Sequence, residues 1–425
     1  RIRPWGIKCG STNGELMQRG TNLGRLGDFN QAVIFESIRR AVDGVSRVEL
    51  AGSTGLSPQT ISNVVRRLLD EGLVREDRTI VSGPGKPRTV LELEASRMVA
   101  VGIHLDPGVI TVVMLNLRGE IMHSRRLDIP AVEVPEKTIE TMARTVDEII
   151  SMAGVPRSNV LGVGVVVPGP LDPVRGVMTN PPLLDGWKDV DMVEPLHRML
   201  KLDVLIEKDT IAASIAEQWK SNEAERDNFV TMYIGAGIGA GMVLNGEIHR
   251  GISGNAGEVG HYSTGVVAHD CDICGRNDCL HAALAFSKFA QLARERGLDL
   301  TVPADGSVAE RASGIAELVR LAKSGNEAAV EILRDRMGLV GQVAGQLANT
   351  LDVGLIIFGG PLWAEVGELC LEDVSSIINE RFISKNVHAV EVRSSSLGHE
   401  VGAIGGACVV MDANLSPKAA ALLLR

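Results

Sequence analysis

The chain of 425 residues is 45% apolar and 23% charged, with a formal net charge of −10. Its length exceeds one compact core and implies two or three domains, while apolar runs such as Leu161 to Val167 fall far short of a membrane span. A membrane-spanning protein and a wholly basic nucleic-acid binder are thereby excluded. The charge is uneven: residues 1–97 hold 15 Lys and Arg against 11 Asp and Glu, a net +4 that leaves −14 for the remainder. The opening residues Arg1 to Gly6 lack the apolar core of a signal peptide. Cys271, Cys274 and Cys279 crowd into nine positions, which reads as a metal site in a reducing cytoplasm rather than a disulfide framework.

Residues 1–28, rich in Gly, Arg, Asn and Thr, are expected to be a flexible leader. A module at 29–94 follows. Val33, Ile34, Ile38, Ala41 and Val42 recur at helical spacing from Asn30 until Gly44. Ser46-Arg47-Val48-Glu49 has the form of a capping box for a short second helix. Gly55 supplies a turn, and Ser57-Pro58 is a good cap and first-turn pair for a third helix to about Glu71. Leu56, Ile61, Val64, Val65 and Leu68 form its inner face. The outer face presents Ser57, Gln59, Thr60, Asn63, Arg66 and Arg67, amides and hydroxyls suited to base edges and arginines suited to phosphates. Two strands about a Gly83-Pro84-Gly85-Lys86-Pro87-Arg88 tip complete a winged helix-turn-helix with a basic wing, in which Lys86 and Arg88 would reach DNA. A bland helical interaction module is the competing reading. Helix-turn-helix half-sites are read by dimers, so a homodimer or homotetramer on an inverted-repeat operator is expected.

Beyond the wing, strands and helices interleave as in an α/β fold: strands at 98–105, 110–115, 121–128 and 160–168, and helices at 136–153 and 211–220. A second series starts at Asn228 with a glycine-rich stretch from Gly235 to Gly241, so two lobes about a cleft are expected. The assignment is 97–225 for the first lobe, completed by a helix at 400–425, and 226–399 for the second. His261, Cys271, Cys274 and Cys279 can complete a tetrahedral structural zinc shell, with His269 and His281 as competing imidazoles. Buried cysteines without a metal are the alternative.

The stretch Tyr233 to Glu247, the run Gly254-Asn-Ala-Gly-Glu-Val-Gly-His261 and the segment Cys274 to Leu280 resemble the signature of the ROK family of repressors, open reading frames and sugar kinases. The resemblance extends over nearly the whole chain. It implies an actin-like, hexokinase-like pair of lobes, with a winged helix in the repressor branch. The phosphate-wrapping Asp-x-Gly-Gly-Thr loop of the kinases matches His104-Leu105-Asp106-Pro107-Gly108, which is badly altered, so a non-enzymatic regulator is expected. The resemblance puts the sugar on Asp209, Glu258 and His261, with Lys208 and His281 where the family has Asn and Glu. Asp209 matches the kinase base; solvated or capping carboxylates are the alternative. The two departures suggest a cationic pocket for a phosphorylated or acidic sugar. The competing functions are an ATP-dependent sugar kinase with an appended DNA-binding module, and a sensor controlled by a protein partner.

Overall fold

The computed structural model describes residues 23–80, 87–129, 134–181, 184, 186–221, 227–235, 237–302 and 308–417. Helix α1 (Leu23–Arg40) is followed by β1 (Val45–Ser46), α2 (Arg47–Thr54), α3 (Pro58–Asp70), β2 (Val74–Ile80) and β3 (Arg88–Leu93). Residues 23–28, expected within a flexible leader, are helical, and residues 1–22 of that leader lie outside the described residues. Helix α1 also stops before Val42, which is 80% exposed rather than inward. Ser46 accepts from the Glu49 amide while Glu49 accepts from the Ser46 amide, as the capping box requires. Ile61, Val64, Val65 and Leu68 are buried together with Ile34, Phe35, Ile38 and Leu50. Strand β1, unforeseen in the sequence, adds to the wing hairpin in the order β1-β3-β2.

The first lobe contains β4 (Val99–Asp106), β5 (Val109–Asn116), β6 (Ile121–Asp128), α4 (Pro135–Ala153) and β7 (Val160–Val167). A small sheet of β8 (Leu171–Asp172), β9 (Val177–Met178) and β10 (Val190–Asp191) leads to α5 (Val193–Leu200), β11 (Val204–Lys208) and α6 (Asp209–Lys220). The second lobe has β12 (Phe229–Ile234), β13 (Ile238–Leu244), β14 (Glu247–Ile248), α7 (Leu280–Ala283), α8 (Phe286–Glu295), α9 (Val308–Lys323) and α10 (Glu327–Leu351). It continues through β15 (Leu355–Gly359), α11 (Pro361–Arg381) and β16 (Glu391–Ser394) to α12 (Val401–Leu415).

The two five-stranded sheets run β11-β7-β4-β5-β6 and β14-β13-β12-β15-β16. In each, the first strand pairs antiparallel with the second and parallel with the fourth, so both lobes repeat one topology. Helix α12 returns to the first lobe, where a helix was expected at 400–425, but it ends at Leu415; residues 418–425 lie outside the described residues, and residues 401–411 are all buried. Glycine permits this docking: a Cβ on Gly164 would stand 1.9 Å from the Gly406 oxygen, and one on Gly102 1.9 Å from the Ala403 oxygen.

The winged module is anchored to the first lobe. Leu117, Leu161 and Leu415 join its core, Arg39 lies 4.1 Å over the Trp219 ring, and Arg40 Nη1 donates to the Ser221 oxygen at 3.3 Å. Glu36 orders both arginines, accepting from Arg39 Nε at 2.7 Å and Arg40 Nε at 2.6 Å. Burial pushes the Glu36 carboxyl up, but its bonds and charge pairing with the two arginines prevail and hold it at about 2. A depressed carboxylate stabilises the fold above its unfolded value near 4.5, and that contribution is lost as pH falls toward 2. Acid unfolding of the wild type should therefore steepen between these values, with of order 3 kcal/mol at stake. Glu36→Gln should flatten that part of the stability curve; an unchanged curve measured by denaturant titration against pH refutes the assignment.

Candidate functional site

The cleft lies where β4, β7 and β11 of the first lobe end opposite β12, β13 and the 254–261 loop of the second. It is lined by Asp106, Pro107, Gly169, Lys208, Asp209, Thr210, Tyr233, Gly239, Glu258, His261, Ile273 and His281. All five residues anticipated as ligand contacts, Lys208, Asp209, Glu258, His261 and His281, meet there. Asp106 and Pro107 join them from the β4–β5 turn. His104 does not: it is buried edge-on to Tyr233 at 6.3 Å and would clash with any Cβ on Gly402.

Lys208 and Asp209 reach the cleft because β11 ends there and α6 starts there. Glu258 is presented by a loop that backs directly onto β13: Gly257 has φ +93°, and a Cβ on it would stand 1.7 Å from the Ala240 oxygen. The Lys208 ammonium, only 3% exposed at the side chain, crosses between lobes to pair with Glu258 and donates to the Ala256 oxygen at 3.2 Å. The positive charge that Lys208 was expected to bring to the pocket is met in the structure by the Glu258 carboxylate. Two further clasps join the lobes. Arg250 Nε donates to Glu207 at 2.9 Å, and the Asn255 amide bonds both the N–H and the oxygen of Leu171 at 2.8 Å. The free space for water in this partly open cleft is about 70 Å³, below the ~300 Å³ and upward of small-molecule sites.

Burial pushes the Asp209 carboxyl up to about 6, opposed by Lys208 and by the Thr210 amide, which donates to it at 2.7 Å. Burial and the charge of Asp209 push Asp106 up to about 7, opposed by Arg126. The buried hydroxyls of Tyr233 and Thr210 have no hydrogen-bond partner among the described residues. Sequence reading passed over both. Tyr233, one of two tyrosines, sits at the end of β12 next to the glycine-rich turn, and that position was the available signal. A larger open hollow of about 630 Å³ on the outer face of the first lobe has exposed charged walls, with Arg125 paired to Glu148, and gathers none of these groups.

One donor atom from each of His261, Cys271, Cys274 and Cys279 lies within 4.8 Å of the others. The Cys271 sulfur is 3.9 Å from His261 Nδ1, near the roughly 3.6 Å that tetrahedral zinc bonds impose on such a pair. The four residues fit a tetrahedral metal, and His261 belongs to both the cluster and the cleft wall. Of the competing imidazoles, His281 groups with Cys271 and Asp272, while His269 Nδ1 faces the Ser287 hydroxyl at 3.5 Å.

On the winged module, Gln59, Asn63, Arg66, Arg67 and Arg88 are exposed, and Gln59 donates to Asn63 at 3.1 Å. Ser57 and Thr60 are engaged in the α3 cap, where the Ser57 hydroxyl accepts from the Thr60 amide at 3.2 Å. Lys86 lies outside the described residues.

The ROK family pattern matches residues 100–413, well over half of the chain. The chain belongs to the ROK family. A winged helix-turn-helix DNA-binding pattern matches residues 43–75 of this ROK protein. The xylose repressor of Bacillus subtilis (strain 168) is 24% identical over 383 residues, covering 90% of this chain and 95% of the relative. A solved ROK family transcriptional regulator, homolog of the Escherichia coli MLC protein, shares the fold with TM-score 0.73 and 20% identity, over 92% of this chain and 97% of that one. The ROK family glucokinase of Streptomyces griseus, in complex with glucose and AMPPNP, shares it with TM-score 0.61 and 22% identity, over 73% of this chain and 98% of that one.

The interlobe clasp makes an unequal prediction. Glu258→Gln strands a buried ammonium, whereas Lys208→Met replaces it with an apolar chain of similar length. Glu258→Gln should cost about 1–3 kcal/mol, less than the ~3–5 kcal/mol for a fully buried pair because Glu258 is half-exposed. Lys208→Met should cost clearly less, and equal losses in thermal denaturation refute the pairing as described.

Proposed function

We propose that this ROK protein is a sequence-specific DNA-binding transcriptional regulator, a repressor, whose two lobes sense a sugar or sugar derivative. The observation that carries this reading is the exposed amide-and-arginine face of α3, joined through α1 to a helix that starts in the cleft. Gln59 and Asn63 would read base edges in a major groove, while Arg66, Arg67 and the wing residues Lys86 and Arg88 would hold phosphates or enter a minor groove. The xylose repressor and the solved transcriptional regulator, both aligned over almost their full length, support it.

The same geometry supplies the coupling. Helix α6 spans 12 residues, roughly 18 Å at 1.5 Å per residue. Lys208, Asp209 and Thr210 stand at its cleft end. Trp219 and Ser221, which hold Arg39 and Arg40 of α1, stand at its other end. A ligand that parts the lobes moves α6, and α6 moves the helix on which the DNA-reading module rests, loosening its grip. The protein acts in the cytoplasm as a homodimer or homotetramer on an inverted-repeat operator, because two-fold related helices read two half-sites.

A sugar kinase with an appended DNA module is the second reading, favoured by the placement of Asp209 with its raised carboxyl. The β4–β5 turn argues against it. Pro107 there offers no amide donor, Asp106 brings negative charge where phosphates would lie, and buried His104 stands at the position of the family's carboxylate.

His261, Cys271, Cys274 and Cys279 would hold a structural zinc. With every coordination position taken by protein, it would brace the 262–281 loop and supply no open site for chemistry. Elemental analysis should find one zinc per chain. Cys279→Ser should lose it and expose residues 262–281 to protease; an unaltered digestion pattern in a metal-free protein counts against the site.

Selection of bound DNA from a random pool at fixed salt, with and without sugars, tests the regulator reading. An enriched inverted repeat released by one sugar is expected, and sugar-dependent ATP turnover without any enriched sequence overturns it. Asn63→Ala should change the preferred bases, whereas Arg67→Ala should weaken all sequences and lower the salt slope by about 1.

A further inference from the structure

We propose that the floor of the cleft, formed by Asp106, Asp209, Tyr233 and Thr210, is a subsite for a cationic group, so that the effector is an amino-bearing polyol rather than a phosphorylated one. The inference rests on the effector-sensing role of the cleft and adds the chemical class. Charge accounting carries it first. Among the described residues that line the cleft, Lys208 is the one lysine or arginine, and Glu258 with the Ala256 oxygen already engages it. Asp106 and Asp209 make no ion pair within 4.0 Å among the described residues; Arg126 acts on Asp106 and Lys208 on Asp209 only through their charge, and neither outweighs burial. The imidazoles do not offset this pair: His261 turns Nδ1 to the cysteine cluster, and His281 lies 3.9 Å from Asp272.

Unfilled hydrogen bonding points the same way. Tyr233 and Thr210, each 3% exposed, line the cleft, and their buried hydroxyls have no partner among the described residues. Buried polar atoms of this kind carry a free-energy cost that a ligand removes. Tyr233 lies close enough to both carboxylates for their charge to oppose its ionisation. Burial pushes both carboxyls up, to about 7 and about 6, and outweighs the charges of Arg126 at Asp106 and of Lys208 at Asp209. An ammonium group donates to both carboxylates and relieves that repulsion, and polyol hydroxyls serve Tyr233 and Thr210. A phosphate adds negative charge to a floor that already has too much.

The test uses the full-length, zinc-loaded protein at pH 7. Ethanolamine, compared with sodium and magnesium salts at matched ionic strength, should raise the thermal midpoint of the wild type and leave Asp106→Asn unmoved. By calorimetry, D-glucosamine should bind at least tenfold more tightly than D-glucose, and D-glucose 6-phosphate more weakly than either. Binding of the amine should release protons in the wild type, because Asp106 ionises, and not in Asp106→Asn. Tyr233→Phe, which keeps the ring packing, should weaken glucosamine several-fold and so provides a folded second variant. Absence of any ethanolamine effect, stabilisation by magnesium in place of the amine, or equal or tighter binding of the 6-phosphate overturns the proposal. Enriched DNA with no amine effect discards this inference alone, whereas an amine effect without enriched DNA discards the regulator reading alone.

Discussion

Helix α6 is held between two glycine surfaces, and the working geometry of the molecule depends on that contact. On one side a Cβ on Gly405 of α12 would stand 2.3 Å from the Ala212 oxygen; on the other, a Cβ on Gly241 of β13 would stand 2.2 Å from the Thr210 oxygen. Backbone meets backbone on both sides, so α6 has little freedom to slide independently of either lobe. Through α12 it is tied to the first-lobe sheet, and through β13 to the second. A change in the angle between the lobes is therefore felt by α6, and the winged module rests on its far end.

This arrangement explains why polar chemistry collects at the two ends of one helix. At its start, the demand that two sheets face each other brings Lys208, Asp209 and Glu258 together, which buries and raises the Asp209 carboxyl and makes Lys208 a bridge between lobes. At its end, the indole of Trp219 offers an aromatic face to Arg39, and the Ser221 oxygen an acceptor to Arg40. Glu36 pairs with both guanidinium groups, so the seat of the DNA-reading module is an ordered ion cluster instead of a loose hinge. The cysteine cluster serves the cleft in a related way, since the loop it closes shares His261 with the cleft wall.

Much of this was legible in the residues. The winged module could be read closely because its signals are local: a capping box three residues wide, a Ser-Pro start, and an apolar stripe at helical spacing. The start of α1 was misplaced because residues 23–28 contain two glycines and little apolar periodicity, and β1 was missed because two residues in a strand leave no period to read. The five candidate ligand residues, which the structure brings to one cleft, were reached by motif. The pairing of Lys208 with Glu258 was not legible, because an unpaired lysine in a sequence looks the same as one whose charge is already met.

The sequence alone determined the order of modules, the third helix with its cap, the cysteine and histidine set, and five of the residues that line the cleft, because each lies in a motif a few residues long. Only the tertiary structure decided that Lys208 pairs with Glu258, 50 positions away, that Arg39 of the winged module rests on Trp219, and that Asp106 and Asp209 share a floor with two unpartnered hydroxyls. Charge and hydrogen-bond satisfaction are properties of what surrounds an atom, and here those surroundings are assembled from two lobes and a returning carboxyl-terminal helix.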